Sequence, residues 1–234
     1  MTFIWLRQYP RLHVLATMFN VSSAIISKDV HFILPIIRRY FRAEIRWPTV
    51  DEWRELQGSW PLLPNSLGAI DGTLTRINRP QAEPQVDFYS GRVKFHCFST
   101  QVIIDCTGSI RYLQSGFLGR DNDARQYQNM PNIGPGQELD FPPGFCLLAD
   151  KIYPNTMPLV TPYKQHQMNG PEDRALFNQV HRSYRVNIEH AISYFKTFAA
   201  VKGVYRHPRW LMPVVADVCA CLAHRHIFLV NQLR

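Results

Sequence analysis

The sequence predicts an α/β domain, one mixed sheet flanked by helices, behind an N-terminal helical segment. Three observations carry this. Strand-like apolar runs bounded by turn residues fill the stretch from 65 to 118, a further short apolar run ends at Asp150, and two long helical patterns follow residue 173.

Leu12, Leu15, Ala16 and Phe19 recur at helical spacing, Asn20-Val21-Ser22 interrupts them, and Ser23 to Ile37 resumes the pattern with Ile26, Val30 and Ile33. Ser22 or Ser23 can cap the second helix by accepting from its free backbone N–H groups. A helix, a short turn and a second helix is a helix-turn-helix-like order, so residues 1–46 are read as a helical, helix-turn-helix-like segment; a plain helical hairpin reads the same way. Residues 47–64, opened and closed by Pro48 and Pro64 around a short acidic helix from Val50 to Leu56, are read as a linker. Residues 65–234 form the main domain. Its strands are expected at Leu67 to Ile77, Lys94 to Asp105 and Ile110 to Leu118, with Cys106-Thr107-Gly108-Ser109 as the hairpin turn between the last two. GRDNDARQYQNM runs from a loop into a helix, with Asp121, Asn122 and Asp123 available to cap it. A Pro/Gly-rich loop from Pro131 to Gly144 leads to a buried strand, Phe145 to Ala149, ending at Asp150. Lys151 to Pro171 is expected to be mostly irregular, Asp173 to Thr197 a long helix and Pro208 to Leu233 a last one. Three antiparallel strands, a helix, a strand and flanking helices is the order of the ribonuclease H-like fold.

The 234 residues carry a net charge of +8, and a cationic surplus favours polyanionic partners, nucleic acid first. The five cysteines are odd in number and scattered through apolar segments, which fits a reducing compartment and not a disulfide framework. The opening MTFIWLRQYPRLHVLATMF lacks an apolar core followed by a small-residue cleavage site, so no signal peptide is expected. The longest apolar stretch, Leu211 to Val230, is interrupted by Asp217, His224, Arg225 and His226, and no membrane span is expected.

Three carboxylates stand out. Asp71 in GAIDGTLTRI and Asp150 in GFCLLADKIY end strand-like runs, and Glu189 in YRVNIEHAISYFK lies on the long helix. Singly, each has an ordinary use: Asp-Gly is a common turn, Asp150 can cap a loop, and Glu189 can pair with Arg185 one helical turn earlier. Together, in the expected topology, the middle of the first strand and the end of the fourth are neighbours with a helix crossing beside them. Oxygen ligands so grouped suit Mg²⁺ or Mn²⁺.

The segments around these residues resemble the DDE endonuclease domain of PIF/Harbinger-type transposases and of host proteins derived from them. GAIDGTLTRINRP is similar to that family's first-Asp strand and VKFHCFSTQVIIDCTGSIRYLQSGFLGRDNDARQY to its hairpin and following helix start. LLADKIYP is similar to its second-Asp strand, and FNQVHRSYRVNIEHAISYFK to its Glu helix. The resemblance implies Asp71, Asp150 and Glu189 as catalytic metal ligands, two divalent ions, hydrolysis of DNA phosphodiester bonds and possible strand transfer. It further implies a nuclear location, a Myb/SANT-like DNA-binding partner protein and a homo-oligomer. Asp123 falls on an acidic position of the family motif, although Asn122 stands where the family usually has His, and is expected beside the site. Lys196, seven positions after Glu189, with Arg185 and Arg182 before it, is expected to contact DNA phosphates. Arg76, Arg79, Arg92 and Lys94 flank the first two strands. Asp105 closes a strand at the far end of the sheet and is expected to be structural. The thiols and imidazoles of Cys219 to His226 fan around a helix axis and are not expected to converge on zinc. A catalytically silent DNA-binding or scaffold protein of the same fold is the alternative, and a nuclease of RNA–DNA hybrids a third reading.

Overall fold

In the computed structural model, residues 1–41, 43–167 and 173–232 are described. The sheet is built on β1 (Ser66–Arg76), which pairs antiparallel with β3 (Phe95–Asp105) and parallel with β7 (Cys146–Leu148). Beyond β3 lie β4 (Ile110–Leu118) and the two-residue β2 (Tyr89–Ser90), both antiparallel to it. Beyond β7 lies β8 (Leu159–Val160), parallel to it. The path β4-β3-β1-β7-β8, with one antiparallel meander and two parallel additions, is the ribonuclease H-like order expected from the sequence.

The strands alternate between two cores, as a pleated sheet covered on both faces must. Val102, Ile104 and Leu148 face one cluster, while Ile103, Leu147 and Ala149 face the other. The first cluster is closed by α7 (Asp173–Phe195), α8 (Ala199–Lys202) and α9 (Met212–Gln232), together with α1 (Thr2–Gln8), α2 (Leu12–Phe19) and α3 (Ser23–Phe41). The second is closed by α4 (Val50–Arg54), by residues 130–145 and by Tyr153. A four-residue helix, α5 (Gln85–Phe88), precedes β2, and α6 (Asp123–Gln128) follows β4. A separate pair of two-residue strands, β5 (Ile133–Gly134) and β6 (Leu139–Asp140), lies in the Pro/Gly-rich loop.

Several boundaries differ from expectation for physical reasons. The N-terminal helices share one core with the sheet: Trp5, Leu6, Ile26, Val30 and Leu34 pack in the cluster that holds Val215 and Val218 of α9. Arg206 stacks its guanidinium over Tyr9. Residues 47–64 hold Trp53 and Trp60 in the interior, with Trp53 edge-on to Phe141 and Trp60 stacked on Tyr184 of α7, so this stretch is packed against both faces. Its short helix starts on a capping box in which Thr49 and Glu52 satisfy each other's backbone N–H groups. Helix α9 is long and apolar enough to cross a membrane by length and composition. In this fold its apolar side is covered by β4, α3 and α7, with Val215, Ala216, Val218 and Cys219 fully buried. The expected irregular stretch 151–171 contains β8, and its last residues, 168–171, lie outside the described ones, as does the expected helix end at Leu233.

Asp105 closes β3 opposite Gly68, at the start of β1 and away from Asp71. Fully buried, it accepts from the N–H and Oγ1 of Thr107, from the N–H of Ser109 and from Nε of Arg111, and so ties the hairpin turn together as a structural residue.

Candidate active site

The pairing of β1 with β7 places Ala69 opposite Leu148. Two residues further along each of these chains come Asp71 and, just past the end of β7, Asp150, whose charge acts on Asp71. The buried run of β1 stops at Asp71, its first partly exposed residue. Asp71 Oδ1 accepts from the Gly72 N–H at 2.8 Å, and Oδ2 accepts from Arg185 Nη2 of α7, also at 2.8 Å.

Gly72 is there for space. A Cβ at this position would stand 2.2 Å from Asp123 Oδ1 and 2.9 Å from Gln101 Nε2. Its absence lets the N-terminus of α6 lean over the strand and bring the buried Asp123 beside Asp71. The Asp-Gly pair therefore marks a close approach in mid-strand, not a turn. Gln101, directly across from Gly72 on β3, is fully buried and holds Asp123 in place. Its Nε2 donates to Asp123 Oδ1 at 3.3 Å and to Gln126 Oε1 at 2.7 Å, while its Oε1 accepts from the Tyr153 hydroxyl at 2.5 Å. Asn122 caps α6 by accepting from the Arg125 N–H at 2.9 Å, so the residue in place of the family's His has a local task.

The electrostatics tie these groups into one site. Burial raises the Asp71 carboxyl above the usual range; Arg185 and the Gly72 N–H pull it down, and the charges of Asp123 and Asp150 push it up again. Burial likewise raises Asp123, with Arg92, the Gln101 hydrogen bond and Arg185 opposing and Asp150 adding to the rise. Tyr153 is held well above its ordinary value, chiefly by burial and then by Asp123 and Asp71, so its phenol stays a neutral donor to Gln101. His181 is lowered, first by burial, with the Val160 carbonyl and Asp150 opposing and Arg185 adding to the fall.

The structure thus pairs Asp71 with Arg185 and brings Asp123 and Asp150 within electrostatic reach of Asp71. Glu189 lies one helical turn beyond Arg185 with an exposed side chain, and no hydrogen bond or ion pair joins it to the aspartates among the described residues. Arg185, expected at a phosphate, is seated on Asp71, and its Nε is buried without a partner. Arg182 is exposed on the same helix. Lys196 is placed quite differently from a phosphate contact. Its ammonium is buried and donates to the carbonyls of Leu74 at 2.6 Å and Val201 at 2.7 Å and, more weakly, to Thr75 Oγ1, bracing β1 against α7 and α8. The helical count from Glu189 put Lys196 two turns along, where it stands just past the end of α7, but did not say which way the long side chain runs. Gln101 and Tyr153 escape sequence reasoning, although a glutamine amid the apolar FHCFSTQVIID and a glycine inside a strand were the available signals. Cys219 and Cys221 on α9 are buried in the core, and His226 sits edge-on to Tyr194.

Carboxylate oxygens suit a hard cation, and the burial and neighbouring carboxylates that raise Asp71 and Asp123 are what a divalent ion relieves. Among the described residues no three His, Cys, Asp or Glu side chains close on one point, and the Arg185 guanidinium supplies the positive charge instead.

The fold is a ribonuclease H-like sheet with Asp71 on β1 and Asp150 just past the end of β7. Residues 70–224 match the DDE superfamily endonuclease family, and the chain belongs to it. Membership makes this a transposase-derived nuclease domain, in a family whose substrate is DNA and whose chemistry generally uses divalent metals. Neither a curated protein nor a solved structure matches the chain.

Proposed function

We propose that the chain is a metal-dependent DNA endonuclease of PIF/Harbinger type, in a transposase or a host protein derived from one, hydrolysing phosphodiester bonds at Asp71 and Asp150. The observation that supports this reading is the parallel register of β1 and β7, which runs towards Asp71 and Asp150, with Asp123 packed over Gly72. In this reading Asp71, Asp150 and Glu189 would hold two Mg²⁺ or Mn²⁺ ions, with Glu189 turning inward from its exposed position on α7. Metal bound there supplies Lewis acidity to the scissile phosphate and lowers the pKa of an attacking water. Gln101 and Tyr153 fix Asp123, and Asp123 in turn shapes the wall beside Asp71. Arg185 neutralises Asp71 in the free protein and passes to a DNA phosphate when substrate arrives, joined by the exposed Arg182. The freed 3′-hydroxyl is then available for strand transfer. Double-stranded DNA is the substrate, the nucleus the compartment, and a Myb/SANT-like partner the source of sequence recognition. The outward face of α3 carries Ile25, Phe32, Ile36 and Tyr40, so base reading by the helix-turn-helix-like segment forms no part of the proposal.

The seating of Arg185 on Asp71 also favours a second reading, a DNA-binding scaffold that has kept the fold and lost the chemistry. Incubating the protein with supercoiled plasmid and Mn²⁺ separates the two. Nicking that falls at least about a hundredfold in Asp71→Asn, Asp150→Asn and Glu189→Gln supports the endonuclease. DNA binding without cleavage under Mg²⁺ or Mn²⁺ establishes the scaffold instead, and cutting confined to the RNA strand of a hybrid duplex would make the protein a ribonuclease.

A further inference from the structure

Helix α3 is amphipathic, yet its outer face is not polar. Ile26, Val30, Leu34 and Phe41 point into the core, whereas Phe32 is 68% exposed, Ile36 49% and Tyr40 78%. At 100° per residue, Phe32, Ile36, Lys28, Asp29, Arg39 and Tyr40 fall within one outward face of the helix. Lys28 and Arg39 are exposed and Asp29 half-buried, and none of the three has an ion-pair partner among the described residues. The neighbouring Arg38, by contrast, is engaged with Asp217 at 2.6 Å.

The arrangement is complementary to itself. Phe32 and Ile36 stand equally far from residue 34 along the helix, as do Asp29 and Arg39, and Lys28 and Tyr40. Turned end for end about a two-fold axis level with residue 34, the face therefore meets its own copy with apolar against apolar, carboxylate against guanidinium and ammonium against a phenol ring. A two-fold interface requires this pattern, since every contact occurs twice. The charged positions lie only about 7.5–9 Å from the axis at 1.5 Å per residue, close enough for side chains to meet at the roughly 20° crossing of antiparallel helices. A face evolved to read bases would instead concentrate cations and hydrogen-bonding groups.

We propose that the outer face of α3 is a homodimer interface, in which α3 packs antiparallel on α3 of a second copy with Phe32 against Ile36 and Asp29 against Arg39. One helix pair lies at the small end of specific interfaces, so the dissociation constant is expected at about 1–100 µM.

Sedimentation equilibrium on the full chain across that range tests the proposal, with circular dichroism confirming that each variant is folded. The wild type is expected to dimerise reversibly and Phe32→Asp to remain monomeric. Asp29→Arg and Arg39→Asp are each expected to raise the dissociation constant at least about tenfold, because each change acts twice across the axis. The double swap, Asp29→Arg with Arg39→Asp, restores the opposite pairing and is expected to return to within about threefold of wild type. A monomeric wild type, an undiminished dimer in Phe32→Asp, or failure of the double swap to recover what the single changes lose would each overturn the proposal.

Discussion

Replacing Gly72 with Ala is expected to destabilise the domain by about 2 kcal/mol and to lower metal-dependent DNA nicking by at least about a hundredfold. The added methyl group would meet Asp123 Oδ1 at 2.2 Å and Gln101 Nε2 at 2.9 Å, both in a buried region. The Asp123 carboxylate can escape only by rotating off Gln101, which leaves the amide short of an acceptor and breaks the support running to Tyr153. The backbone of β1 has little freedom to absorb the change, because Gly72 is held in register against Gln101 of β3 with paired residues before and after it. Urea denaturation measures the first effect and plasmid nicking the second. If Gly72→Ala keeps both stability and nicking at wild-type levels, then Asp123 does not depend on this close approach and is not part of the site wall.

Lys196→Met is expected to change the pH dependence of stability more than stability at neutral pH. Burial pulls the Lys196 ammonium down from 10.5 to about 8. Below pH 8 the group is charged in both folded and unfolded chains, so the folded state bears the full cost of burying it. Between pH 8 and 10.5 the folded chain releases the proton while the unfolded chain keeps it. The unfolded state then binds more protons, and this residue's contribution to stability rises with pH, by about 3 kcal/mol over the whole window. At pH 7 the variant escapes the cost of the buried charge but orphans the Leu74 and Val201 carbonyls, and these effects are of similar size. The difference in unfolding free energy, wild type minus Lys196→Met, is therefore expected to be small at pH 7 and to grow steadily above pH 8. A difference that stays flat to pH 10 would mean that the ammonium is solvated, as the phosphate contact expected from the sequence would require.

The strand order was legible because each sheet strand of the meander is a long apolar run bounded by turns; Ile110–Leu118 ends where the sequence placed it, and the other long strands shift by a residue. Asp71 and Asp150 were legible for the same reason, since each follows a buried run and the topology alone makes them neighbours. What was hidden depends on side-chain direction and on space. Lys196 shares its residue type with any solvated helix lysine, and only the carbonyls of two other elements reveal its burial. Gly72 looks like half of a turn until α6 is seen to lean on it. Arg185 and Glu189 are one turn apart on the same helix, and spacing cannot say which reaches the aspartates. The short β2 and β8 carry too few residues for periodicity to register, and their pairing comes from neighbours distant in sequence. The prolines that open and close residues 47–64 read as the bounds of a linker, and Trp53 and Trp60 within it are core residues.

All five cysteines are unpaired and buried, and burial pushes the thiols up, Cys97 to about 11 and Cys219 further. The thiolate is the form that attacks an alkylating reagent, so in the closed molecule these sulfurs are protected twice, by inaccessibility and by protonation. Labelling at neutral pH thus becomes a clock for opening motions: Cys97 and Cys146 time the exposure of the strands that flank β1, while Cys219 and Cys221 time the lifting of α9 from the sheet. Two labelling rates from one unmodified chain would tell whether the central sheet and its covering helix open together or apart.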